Sequence, residues 1–395
     1  MSCSGSSTPT GSDPIAERRR QVRAASTVMP DEEMRGVSDP IDVQAPVQST
    51  RSTSGERRPS MARYRLLGWA QQNGMFFALL LLCVFFALRS DNFLTITNLS
   101  VIAGQAATVG IIAVPGAMLV LSGYVDLSVG SLMVLAAAVF GQVFEAGTGT
   151  PGAVLAALAA GAAWGAVNAA FISGLNFSPI VVTLAGLAGA RGLAEVLTQG
   201  RTVSQFGEGF SRLARSQLLG QRAPVWIAVA VFAVGFYVWT VGPWGRHMTA
   251  IGADEVAARS VGIRTRRIPA VLYIGSGLSA ALAGLIFTSR LDGASLSIGV
   301  GQELVVLSAI LLGGISFTGG RGSLLGVLSG VLFLGVLQNG LILIGVGVFF
   351  QNVALGAALF FAAALDAAYR RLERLPVGVD ERQGILADPE VGGRA

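Results

Sequence analysis

The side chains that could do chemistry are few in this sequence, and they are not arranged for catalysis. His247 is the single histidine, and every cation is an arginine, because no lysine occurs in the chain. A GxxxxGK[ST] phosphate loop needs its lysine on the phosphates, so this chain cannot hydrolyse ATP by that route. One histidine excludes multi-histidine zinc sites and argues against a Ser-His-Asp triad. The two cysteines, Cys3 and Cys83, support neither a disulfide framework nor a thiolate metal site. What remains is a scatter of carboxylates, amides and hydroxyls among apolar runs.

Polar groups in that setting are candidates for a pathway, because a charge inside a membrane costs about 2.5–3.5 kcal/mol and persists mainly where it lines a cavity. Asp126 stands between two apolar runs, with Ser128 and Ser131 beside it. It can cap the helix that follows or line the pathway. Asn168 and Thr183 can tie helices together or touch a ligand. Arg191 and Glu195 are spaced four apart, as a structural ion pair would be. Glu303 falls at a helix start, as a partner for the helix dipole. Gln338 and Asn339 fall mid-span, as amides able to bind a polyol or to join helices. There is no ladder of Asp, Glu and His suited to a proton relay, so the cargo implied is neutral and polar, or loosely held.

A second cluster lies in 244–267, a polar, arginine-rich break inside the apolar sequence. Residues 253–259 carry a short helix signal between Gly252 and Gly262. Asp254 and Glu255 suit its first turn and Arg259 its last. Glu255 and Arg259 are also spaced i, i+4 in the favourable order. Gly262 can end the helix with positive φ, and Ala257 and Ala258 allow close approach. Two readings are open, a solvated connector or a docking element for a partner.

The elements that must position these groups follow from composition. Charged residues are 13% and apolar residues 52%, with 52 glycines, against a charged share of about 25% in soluble domains. That balance belongs to a polytopic, all-α membrane protein. Net charge is +5, but the arginines lie in the tail and in loops beside apolar spans, which sets topology and gives no reason to expect nucleic acid. About ten spans are expected, at 67–88, 101–122, 128–147, 152–173, 178–198, 223–243, 268–289, 302–318, 323–344 and 347–369. Residues 1–63 read as a disordered tail, 64–375 as the membrane domain and 376–395 as a second short tail. Arginine placement favours both termini, and the 244–267 loop, on the cytoplasmic side. Segments 118–141 and 309–335 look alike, a hint of the inverted repeat common in transporters.

Several motifs also carry a resemblance. Gly123-Tyr124-Val125-Asp126-Leu127-Ser128-Val129-Gly130-Ser131 resembles a signature of ABC-importer permeases for ribose, xylose and related sugars. So do Ser178-Pro179 through Gly192, Gln199-Gly200-Arg201, Gly245 through Ile263, and Leu311 through Ser323. Together they cover roughly residues 75–370 in order. The resemblance implies the ten-span fold of vitamin B12-type (type II) importers, with an inverted repeat of helices 2–5 and 7–10. It implies a homodimer in a bacterial inner membrane, cytoplasmic ATPase subunits that hold the ATP and magnesium, and an extracytoplasmic sugar-binding protein. The break at 244–267 becomes the ATPase-coupling segment, and no cofactor is expected on this chain. Tyr124 replaces the usual second glycine of the signature. Two rival functions stand beside this one: a permease for branched-chain amino acids or another small polar solute, and an ion-coupled secondary transporter.

Overall fold

A computed structural model of the chain describes residues 61–373. The expected tails lie outside the described residues, except 61–63, which open the first helix. In chain order the helices are α1 (Met61–Arg89), α2 (Ile96–Leu121), α3 (Val129–Glu145), α4 (Gly149–Ala169), α5 (Pro179–Thr198) and α6 (Glu208–Arg215). After them come α7 (Ala223–Phe236), α8 (Pro243–Ala253), α9 (Glu255–Ser260), α10 (Arg267–Leu291), α11 (Gln302–Leu312), α12 (Leu324–Leu343) and α13 (Val348–Glu373). Wider turns carry α4 on to Gly174 and α7 on to Val241. Strand β1 (Val203–Ser204) pairs antiparallel with β4 (Gly293–Ala294), and β2 (Gln217–Leu218) with β3 (Gln221–Arg222).

Among the described residues, 6 helices are long and apolar enough to cross a membrane: α2, α4, α5, α7, α10 and α12, with α4 and α7 counted to the ends of their wider turns. The apolar parts of α1, α3, α11 and α13 are shorter. Each expected run is therefore a helix, with one clear difference. The run expected over 302–318 is helical only to Leu312. Beyond it Gly314, Gly319, Gly320 and Gly322 take positive φ, which no helix can accommodate.

Local signals set the element ends. Pro179 occupies the first turn of α5, where its missing N–H costs nothing. The Thr95 hydroxyl accepts the Asn98 N–H at the start of α2, and the Ser323 hydroxyl accepts the Gly326 N–H at the start of α12.

Helix α10 forms the centre of the packing, against α2, α3 and α4. Gly161 and Gly165, one turn apart on α4, sit on the backbone of Gly277 and Tyr273, where a Cβ would overlap the carbonyls. Gly326 and Gly330 bring α12 equally close to Gly313 and Ala309 at the end of α11. In lipid, helices gain little from apolar contact as such, so association rests on this close approach of small residues.

Candidate coupling site and transport pathway

The break at 244–267 holds two helices where a single one was expected. Pro243 opens α8, which runs to Ala253, and Asp254 then turns extended and caps α9. Asp254 Oδ1 accepts the Val256 N–H at 2.8 Å and the Ala257 N–H at 3.0 Å. Asp254 is thus the cap of α9, and Glu255 alone is its first-turn acid. Glu255 Oε1 meets Arg259 Nη2 at 2.6 Å, and Gly262 has φ +84°, both as the spacing suggests. Ala257 is exposed, but Ala258 is only 3% exposed and packs inward. Ala258 therefore cannot offer close approach to a partner. The exposed apolar side chains here are Val256 (79%) and Val261 (75%), which sequence reasoning passed over. Their signal was an apolar residue at each end of a charged, surface-exposed helix.

Gly252 joins this segment to the membrane domain. It lies in the last turn of α8, and a Cβ there would overlap the Leu121 carbonyl and the Gly320 N–H. Those two groups bond to each other, Gly320 N–H donating to Leu121 O at 2.8 Å. The end of α8 is therefore pressed against the end of α2 and the 313–323 break. Tyr124 adds a polar contact, its hydroxyl lying 3.4 Å from Glu255 Oε2. Burial, and then the Glu255 charge, push the Tyr124 phenol up to about 12, so at neutral pH it stays a donor. The look-alike segments 118–141 and 309–335 thus touch at this point. They do not hold equivalent places, since one break precedes α3 and the other precedes α12.

Asp126, Ser128 and Asn168 converge with Ser276 of α10. Asp126 Oδ1 accepts the Ser128 N–H at 2.9 Å and the Ser128 hydroxyl at 2.6 Å, and Oδ2 accepts the Ser276 hydroxyl at 2.7 Å. Asn168 Nδ2 donates to Ser128 Oγ at 3.0 Å. The Tyr273 hydroxyl holds the Val125 carbonyl at 2.9 Å. Ser276 is nine residues along α10, so this network lies about 13 Å from the helix's first residue at 1.5 Å per residue. Asp126 does not cap α3 directly. It closes a turn two residues ahead of the Ser128 N-cap and ties that turn to α10. Sequence reasoning missed Ser276 and Tyr273, which look like ordinary small and aromatic residues of an apolar span.

The remaining residues stand apart. Ser131 is buried with no hydrogen-bond partner among the described residues. Thr183 bonds back to the Pro179 carbonyl in its own helix at 2.8 Å. Asn339 Nδ2 donates to Asn98 Oδ1 at 2.9 Å, joining α12 to α2, while Gln338 is half-buried. Arg191 forms no ion pair with Glu195; its guanidinium reaches instead to the Leu296 carbonyl at 3.0 Å.

Glu303 occupies the first turn of α11, where it suits the dipole. Its carboxylate also lies on Gly130, in the first turn of α3, and a Cβ on Gly130 would overlap Oε2. Gly299, just before α11, meets the Gly130 carbonyl in the same way. Two short helices therefore begin against each other, with one carboxylate at both N-terminal ends. This arrangement places two helix N-terminal ends and one carboxylate at a single point.

Residues 98–364 match the family model described as branched-chain amino acid transport system / permease component. The chain belongs to this permease family. The ribose import permease protein RbsC of Escherichia coli is 35% identical over 322 residues, which cover 80% of this chain and 98% of that protein. The protein of the same name from Bacillus subtilis is 35% identical over 301 residues, covering 76% and 94%. The L-arabinose transport system permease protein AraH of Escherichia coli is 31% identical over 326 residues, covering 82% and 99%. No solved structure matches the permease.

Proposed function

We propose that this permease is the membrane-spanning subunit of an ATP-driven importer of a monosaccharide, and that a pentose is its cargo. The observation that carries this reading is the near full-length similarity to ribose and arabinose permeases. ATP and magnesium are held by a partner ATPase, which docks on α9 and its flanks, with Asp254, Glu255, Arg259 and Gly262 shaping the contact. A binding protein delivers the sugar on the opposite face, and two copies of the chain frame the pathway. Glu303 and Ser131 line that pathway, whereas Asp126, Ser128 and Asn168 brace it.

Ten spans with both termini in the cytoplasm fit the helix order. An inverted repeat of α2–α5 with α10–α13 is supported by their lengths: 26, 17, 21 and 20 residues against 25, 11, 20 and 26. In both sets a long helix precedes a break and a short helix. The two short helices are the pair that meet at Gly130 and Glu303, as discontinuous helices do around a transporter's central site.

The test is uptake of radiolabelled sugar into proteoliposomes holding the permease, its ATPase and its binding protein. ATP-dependent uptake of ribose or arabinose is expected. Uptake of leucine in place of sugar overturns the cargo, and uptake driven by an ion gradient without the ATPase overturns the energy source.

A further inference from the structure

Beside α9 lies a cleft of about 370 Å³ lined by Arg259, Ile263, Arg264, Thr265, Arg266 and Arg267. Glu255 neutralises Arg259. Arg264, Arg266 and Arg267 are exposed and pair with no carboxylate among the described residues. Arg267 is also the first residue of α10, so the positive end of a 25-residue helix adds to the three guanidinium charges. Four residues, 264–267, thus hold three uncompensated cations against a helix start, a strong attraction for an anion.

The surface beneath the cleft indicates which anion. Val271, Ile274 and Leu278 are 51%, 37% and 43% exposed, and with Arg267 they fall at i, i+4, i+7 and i+11 on one face of α10. Eleven residues of helix rise about 16 Å, close to half of a bilayer's apolar thickness of roughly 30 Å. A charged cleft heading an apolar stripe of one acyl chain's length matches an anionic phospholipid in both charge and shape. A soluble phosphate has no use for the stripe.

We propose that the Arg264–Arg266–Arg267 cleft binds the headgroup of an anionic phospholipid whose acyl chain lies along Val271, Ile274 and Leu278. The site touches the coupling segment through Arg259 and Ile263, so lipid composition reaches the docking surface for the ATPase. Basic pockets at the ends of membrane helices hold acidic headgroups in this way. The inference depends on α10 crossing the membrane and on nothing about cargo.

The full-length permease, reconstituted in nanodiscs of phosphatidylcholine with phosphatidylglycerol, provides the test. Native mass spectrometry is expected to show retained phosphatidylglycerol at ten-fold or more over phosphatidylcholine. The triple variant R264Q/R266Q/R267Q is expected to lose that enrichment, whereas R264K/R266K/R267K, which keeps the charge, and R212Q/R215Q, on a different surface, are expected to keep it. The lysine variant guards against loss through misfolding. Undiminished enrichment in the glutamine variant overturns the proposal. So does stabilisation by inorganic phosphate equal to that by phosphatidylglycerol, which would mark a free-anion site. Loss of ATPase binding in the glutamine variant with lipid retention unchanged would assign the arginines to that partner, and also overturns it.

Discussion

The Gly320 N–H donates to the Leu121 carbonyl at 2.8 Å, and Gly252 passes across that bond with its Cα against both partners. One bond thus joins the end of α2 to the 313–323 break, with the end of α8 as its lid. Any displacement of α8 must push on both at once, because contact between backbones leaves no side chain to yield. The three segments are far apart in the chain, and each carries glycine where they meet.

The first expectation concerns this contact. Gly252→Ala introduces a Cβ where the Leu121 carbonyl and Gly320 N–H stand, and overpacking of this kind costs about 1–3 kcal/mol. Transport in proteoliposomes is expected to fall ten-fold or more, with the ATPase still co-purifying. Wild-type transport would show that the junction moves freely.

Docking of the proposed ATPase partner is expected to depend on Val256 and Val261, exposed apolar side chains of the 244–267 segment. Val256→Asp or Val261→Asp should reduce ATPase co-purification at least ten-fold and leave thermal stability within about 0.5 kcal/mol, as surface changes usually do. Glu255→Ala, which strands Arg259, should act in the same direction. Ala258→Leu should instead destabilise the fold, because that side chain is buried. Full co-purification of both valine variants would place the docking surface elsewhere.

Asp126→Asn keeps an oxygen for Ser128 but faces the Ser276 hydroxyl with an N–H group in place of an acceptor. Mispairing one buried hydrogen bond costs about 1–3 kcal/mol, so the melting temperature in detergent should fall. Ser276→Ala should lower it by less. If neither variant shifts the melting temperature, the network does not brace the fold.

Asn339→Leu removes the bond to Asn98 between α12 and α2. Interhelical bonds of this type are worth about 0.6–2 kcal/mol. Stability should fall by that amount with the sugar preference unchanged, and an altered preference would return Asn339 to the pathway.

The long helices were legible in the sequence because each is an apolar run with turn residues at its ends; Pro179 marks a start within a residue of expectation, whereas the short helix expected from 253 begins two residues later, after its Asp254 cap. The end of α11 was legible only as a glycine-rich break at 313–323 within the expected run, and it is the positive φ of Gly314, Gly319, Gly320 and Gly322 that halts the helix before the run ends. The i, i+4 pairing of Glu255 and Arg259 was readable since both partners lie on one short helix. The same rule failed for Arg191, where a carbonyl from residue 296 competes successfully with Glu195. Contacts such as Asp126 with Ser276 span 150 residues, and no local pattern encodes them.

The shortness of α11 has a consequence for biogenesis. Its 11 residues rise about 16 Å, too little to leave the translocon for lipid as an independent segment of roughly 20 residues would. It must therefore enter the bilayer in company, and its last turn meets Gly326 and Gly330 of α12 backbone to backbone. Those two glycines serve the nascent chain before they serve the finished one. Bulkier residues there should strand α11 outside the membrane during synthesis, which an engineered glycosylation acceptor in the 313–323 segment would report.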